Sequence, residues 1–136
     1  MRYLAAYLAA GIMFGITDAA WLTLMGPSLY RPAIGPILAD KVSLAPALIF
    51  YLLYIGGVVA LAVAPALKEG AWTRAALLGG VLGLVAYGTY DLTNQATLRF
   101  WSTRLTLLDL AYGAMATALA ATVAFHAARW AARALP

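Results

Sequence analysis

The chain has 136 residues, 65% of them hydrophobic and only 10% charged, with a net charge of +4 and no cysteine. A soluble domain of this size carries about 25% charged residues, so the composition excludes a water-soluble globule and makes the bilayer the solvent. The absence of cysteine excludes disulfides, thiol catalysis and zinc–thiolate sites, and the basic residues form no run of the kind that binds nucleic acid.

A spanning helix needs about 20 mostly apolar residues. Four stretches meet that requirement, so the expected fold is all-α: one membrane domain over 1–136, built as a four-transmembrane-helix bundle. The first stretch, 3–25, follows Met1-Arg2 and imitates a signal peptide. No small-x-small cleavage site followed by a polar region appears, and Thr17-Asp18 leads straight into Trp21-Leu22-Thr23-Leu24-Met25, so it reads as a retained helix. Gly26-Pro27 is expected to end it. The loop over 26–41 holds Pro27, Pro32 and Pro36 among apolar residues, which suggests a segment lying along the membrane interface or dipping slightly into it.

The second helix is expected over 42–64, ending at Pro65, and the third over 72–98. A short polar turn from Arg99 to Arg104 then leads into the fourth, 105–128. No period-2 alternation appears, which excludes a β-barrel. Trp21, Tyr30 and Trp101 fall where one aromatic belt belongs, and Trp72 and Trp130 where the other does. Gly11 with Gly15, Gly79 with Gly83, and the series Ala116, Ala120, Ala124, Ala128 are candidate close-packing seams. Aligning Asp18 with Asp91 also superposes Gly15 on Gly88, which hints that helices one and three face each other.

Orientation rests on basic residues. Arg2, Lys68, Arg74, Arg129 and Arg133 lie on the side of the termini; Arg31, Lys41, Arg99 and Arg104 lie on the other. Assigning Arg99 and Arg104 to a site places both termini in the cytoplasm, with the chain multi-pass in a bacterial inner membrane.

Three aspartates interrupt these apolar stretches: Asp18, Asp91 and Asp109. A carboxylate in hydrocarbon costs several kcal/mol by most measures, so it persists where it is solvated, paired or used. Counting about 1.5 Å per residue, Asp18 and Asp91 lie roughly 10 Å from the ends of their helices and Asp109 roughly 6 Å, all from the same side. On the third helix Tyr87, Asp91, Asn94 and Gln95 form one stripe, with Arg99 two turns beyond Asp91. Close carboxylates cannot all ionise cheaply, which leaves a proton to donate.

The expected site therefore has Asp18, Asp91 and Asp109 as the chemical groups. Asn94, Gln95, Arg99, Trp21 and Tyr87 would bind a ligand, with Asn94 and Arg99 orienting its head group. In the competing structural reading, Arg99 or Arg104 neutralises an aspartate and locks the bundle. Metal is disfavoured, because the single histidine, His126, lies at the far end of the fourth helix. No cofactor fingerprint and no catalytic triad spacing is present.

The run Tyr87-Gly88-Thr89-Tyr90-Asp91-Leu92-Thr93-Asn94-Gln95-Ala96-Thr97-Leu98-Arg99-Phe100-Trp101 has two companions, Thr17-Asp18-Ala19-Ala20-Trp21-Leu22 and Tyr30-Arg31-Pro32-Ala33-Ile34-Gly35. Together they resemble a bacterial family of small four-helix membrane proteins catalogued as a domain of unknown function. The resemblance spans nearly the whole chain and implies a four-helix inner-membrane protein with acids at Asp18 and Asp91. It implies no activity.

The expected function is binding or processing of a small amphipathic molecule such as a lipid, isoprenoid or quinone-like compound, with Asp18 and Asp91 as the proton-handling pair. Two alternatives stand beside it: a small proton-coupled transporter acting as a homodimer, and an accessory subunit packed into a larger membrane complex. The expected partners are the lipid bilayer and that small molecule, with no nucleic acid.

Overall fold

The computed structural model describes residues 1–134, almost all of them helical, with no strand among the described residues. Four helices are long and apolar enough to cross a membrane: α1 (Arg2–Ile37), α2 (Leu44–Glu69), α3 (Trp72–Thr97) and α4 (Thr103–Ala134). Their outward faces carry large apolar side chains such as Leu8, Ile12, Leu53, Val85 and Met115, all exposed, as lipid-facing surfaces require.

Two boundaries differ from the sequence reading at prolines, for one reason, and α4 starts two residues before and ends six residues after the expected 105–128. Gly26-Pro27 does not end the first helix, which widens into a π-helical turn over Gly26–Tyr30 and resumes over Arg31–Ile34. Pro65 does not end the second, which widens over Val59–Val63 and resumes over Ala64–Glu69. In both cases a proline, Pro32 or Pro65, is the second residue of the resumed helix. A proline ring clashes with the carbonyl four residues back; a wider turn at that point makes room, so the helix continues. α2 stops instead at Gly70, in the left-handed conformation (φ 74°), which returns its N–H to Ala66 O at 2.8 Å. Only residues 38–43 are non-helical between α1 and α2, of which 38–41 fall in the expected first loop and 42–43 in the expected second helix.

The widened turn in α1 also redirects the chain. A straight helix would carry Tyr30 about 18 Å beyond Asp18. Its hydroxyl instead meets Asp109, one turn from the Tyr112 that holds Asp18. The stretch after Met25 therefore bends across the end of the bundle, where Leu29 and Ile34 bury against Leu105.

α4 is the axis of the bundle, and α1 and α3 pack chiefly against it rather than against each other, which corrects the expectation that helices one and three face each other. Ala116, Ala120, Ala124 and Ala128 are fully buried along α4. α3 approaches closely through Gly79 and Gly83; a Cβ on Gly83 would lie 2.1 Å from Gly113 O. The Gly11–Gly15 pair does not pack in this way. Nothing lies within 4 Å of a Cβ at Gly15, and the pair lines an open groove between α1 and α2. The seam on α1 is Ala6, Ala10 and Phe14, and Asp18 is the next residue on that i+4 stripe.

α2 is attached unevenly. Its second half is buried at Val58, Ala62, Val63 and Ala66, whereas its first half contains no buried residue before Ile55. That half stands off the bundle, held by Tyr7 Oη donating to Leu52 O (3.0 Å), by a Tyr54–Thr117 hydroxyl contact (2.8 Å) and by Tyr51.

Candidate functional site

The three aspartates are buried toward the end of the bundle that the last part of α1 leans across, with exposures of 9% for Asp18, 0% for Asp91 and 3% for Asp109. Their settings differ. Asp18 Oδ1 accepts a hydrogen bond from Tyr112 Oη of α4 at 3.0 Å, and Oδ2 accepts one from Tyr51 Oη of α2. This carboxyl thus ties three helices together. Asp109 Oδ1 accepts from Tyr30 Oη, whose oxygen in turn accepts from Trp21 Nε1 at 2.9 Å.

Asp91 lies close to Asp109, and neither of its carboxyl oxygens has a hydrogen-bond partner among the described residues. Two carboxyl groups bond to each other only through a proton on one of them, so an ionised pair leaves Asp91 unsatisfied. Like Asp18, Asp91 falls on its helix's buried i+4 stripe, after Ala75, Gly79 and Gly83.

Aromatic rings build the walls. Trp21 stacks on Tyr112 with centroids 4.4 Å apart and planes 9° from parallel. Tyr87 meets Tyr112 edge-on at 5.8 Å, and it fits only because position 113 is glycine: a Cβ there would lie 2.3 Å from the Tyr87 ring. Between α1, α3 and α4, with Phe50 of α2 at its rim, lies a cavity of about 410 Å³ whose wall includes Asp18, Asp109, Tyr30, Tyr87 and Tyr112. Asp91 does not line it. Phe50 of α2 and Tyr90 of α3 also contribute, and both are exposed on the outer face of the bundle, so the cavity reaches the surface between those helices.

The other expected site residues are placed elsewhere. Gln95 Nε2 donates to Thr103 Oγ1 (2.9 Å) and its Oε1 accepts from Thr106 Oγ1 (2.7 Å), so it joins the end of α3 to the start of α4. Ser102 caps α4 by accepting from the Leu105 N–H at 3.1 Å. Asn94 is half-buried and lines no part of the cavity; Arg99 and Arg104 are exposed. The one ion pair among the described residues joins Arg74 and Glu69, at 3.4 Å, so neither Arg99 nor Arg104 neutralises an aspartate. Trp21 acts through Tyr30 and Tyr112 instead of facing lipid. Among the described residues no group of three or more His, Cys, Asp or Glu is placed to hold a metal ion.

The sequence reading missed the tyrosine partners of the acids. The belt pattern accounts for Tyr30 without a partner, and Tyr51 stands in an apolar helix with no role in that pattern. A phenol that deep in a lipid-facing stretch needs a hydrogen-bond partner, and that requirement was the available signal.

Four long apolar helices around a seam of small residues, with lipid-type side chains outward, define a polytopic membrane protein. The chain belongs to the family described as "Predicted membrane protein (DUF2177)", whose model matches residues 3–126. No curated protein and no solved structure matches it.

Proposed function

We propose that this protein binds a small amphipathic molecule in the cavity between α1, α3 and α4, beside Phe50 of α2, within the bacterial inner membrane. Asp18 and Asp109 would meet its polar end, and Asp91 would sit behind as a partner of Asp109. The observation that carries this reading is the roughly 410 Å³ cavity with two buried aspartates on its wall and no basic side chain against them. A purely structural lock would pair each acid with a cation or fill the space between them. Here tyrosine hydroxyls orient Asp18 and Asp109, and space is left beside them.

The proton-handling pair in this reading is Asp91 with Asp109, not Asp18 with Asp91. Two adjacent negative charges without a cation are costly away from water, and one proton held between the two carboxyls removes that cost and satisfies Asp91. The tail of the ligand would leave past Phe50 and Tyr90 toward lipid, where the first half of α2 stands off the bundle.

The test is thermal unfolding of the purified chain in nanodiscs, with and without a bacterial total lipid extract, for wild type, Asp18→Asn and Asp109→Asn. The reading expects the extract to raise the wild-type midpoint and to leave both folded variants unmoved. Equal stabilisation of all three would overturn it.

A further inference from the structure

Resting on that binding reading, we infer that the molecule is a lipophilic organic cation: an amine or quaternary ammonium head on an apolar body, not an anionic lipid and not a neutral one. Three observations carry this. First, the polar wall is acidic. Asp18 and Asp109 face the cavity, and no Lys, Arg or His lines it. An anionic head would bring a third negative group into this space with no counter-charge, which costs far more than a neighbouring hydrogen bond returns.

Second, the remaining wall is aromatic. Tyr30, Phe50, Tyr87, Tyr90 and Tyr112 surround the space, and ring faces attract a desolvated cation. Third, the hydroxyls bonded to the acids are committed, and the wall's remaining hydroxyls, on Tyr87 and Tyr90, record no bond to either acid. Tyr51 and Tyr112 both donate to Asp18, Tyr30 donates to Asp109, and the Trp21 N–H is used on Tyr30. What Asp18 and Asp109 still offer is acceptor capacity, which suits a positive or N–H-bearing head.

A small hard metal ion fits less well, because it demands six or more oxygen ligands in one shell and the described residues provide no such group. Access is lateral: the rim residues Phe50 and Tyr90 lie on the outer surface of α2 and α3, so the ligand arrives from the bilayer with its tail trailing into it.

The experiment uses three probes of equal chain length, decyltrimethylammonium, decanol and decyl sulfate, titrated onto the full-length protein in nanodiscs and read as saturable shifts of the unfolding midpoint. The ammonium probe should bind on the order of tenfold more tightly than decanol, and decyl sulfate should give no saturable shift. Asp109→Asn should remove the preference for ammonium. Ala86→Trp, which fills the cavity and leaves every acid in place, should remove all saturable binding, so the outcome does not depend on how well an acid variant folds.

Equal binding of ammonium and decanol, abolished in Ala86→Trp, would overturn the cation assignment and leave the cavity reading standing. So would tighter binding of decyl sulfate, or stabilisation by lipid extract with none by ammonium. A wild type unmoved by every probe and by lipid extract would overturn both.

Discussion

Tyr51→Phe tests the link between the acid site and the loosely attached half of α2. The substitution removes one oxygen. The ring keeps its contacts with Phe14 at 6.0 Å and Phe50 at 5.7 Å, so little packing is lost. What disappears is the hydrogen bond to Asp18, while Tyr112 continues to donate to the other carboxyl oxygen. A hydrogen bond to a charged group contributes about 1.5–3 kcal/mol in soluble proteins; side-chain bonds between membrane helices average about 0.6 and reach about 1.7. Tyr51 is half-buried and Asp18 retains a second donor, so the expected cost is about 1 kcal/mol, near the middle of the membrane range. The assay is equilibrium unfolding in mixed micelles by steric trapping, for Tyr51→Phe, Asp18→Asn and the double variant. If the bond exists, the cycle shows a coupling of about 1 kcal/mol, and Tyr3→Phe, which alters a tyrosine remote from the acids, shows none with Asp18→Asn. A coupling inside the ~0.3–0.5 kcal/mol scatter of simple additivity would refute the three-helix role assigned to Asp18.

Asp91→Asn should stabilise the protein by about 1 kcal/mol, since an amide can donate to Asp109 without needing a shared proton; a loss of stability in the same unfolding assay would contradict the pairing. Gly15→Ala should be neutral or stabilising by about 0.5–1 kcal/mol, because its Cβ meets open space, whereas Gly83→Ala should cost about 2–3 kcal/mol or more as the Cβ strikes the backbone of α4. Similar melting shifts for the two would show that the α3–α4 seam is looser than described. With Arg99 and Arg104 outside the site and counted as topology signals, the terminal side still carries five basic residues against four, so both termini are expected in the cytoplasm; the chain has no native cysteine to interfere. A single Asp40→Cys should therefore react with a membrane-impermeant maleimide in spheroplasts and Lys68→Cys only after lysis; the reverse pattern would invert the topology.

Much of this architecture follows from local chemistry. Four apolar runs of spanning length leave lipid as the only suitable solvent, and the alanine series of α4 marks a buried face because small residues at i+4 serve close helix contact. Asp18 and Asp91 could be singled out for the same reason: a carboxyl in an apolar stripe has to be accommodated by something.

What accommodates it is a property of distant parts of the chain. Asp18 meets residues 33 and 94 positions away, and Asp109 meets one 79 positions away. Periodicity within one helix fixes which side chains share a face, but not which helix lies opposite. Gly11–Gly15 and Gly79–Gly83 show the limit, since identical spacing lines a groove in one case and a tight seam in the other.

Prolines predict stops in the sequence because a regular α-helix does not accommodate them in its interior. The tertiary structure keeps the helices going through widened turns, and the turn in α1 brings Tyr30 back to Asp109. Composition and period set the four helices and their buried stripes. The pairing of the acids, the exclusion of Arg99 from them and the cavity beside them depend on how α1 bends across the bundle end and how far α2 stands off, and both are set by contacts between helices that no local pattern encodes.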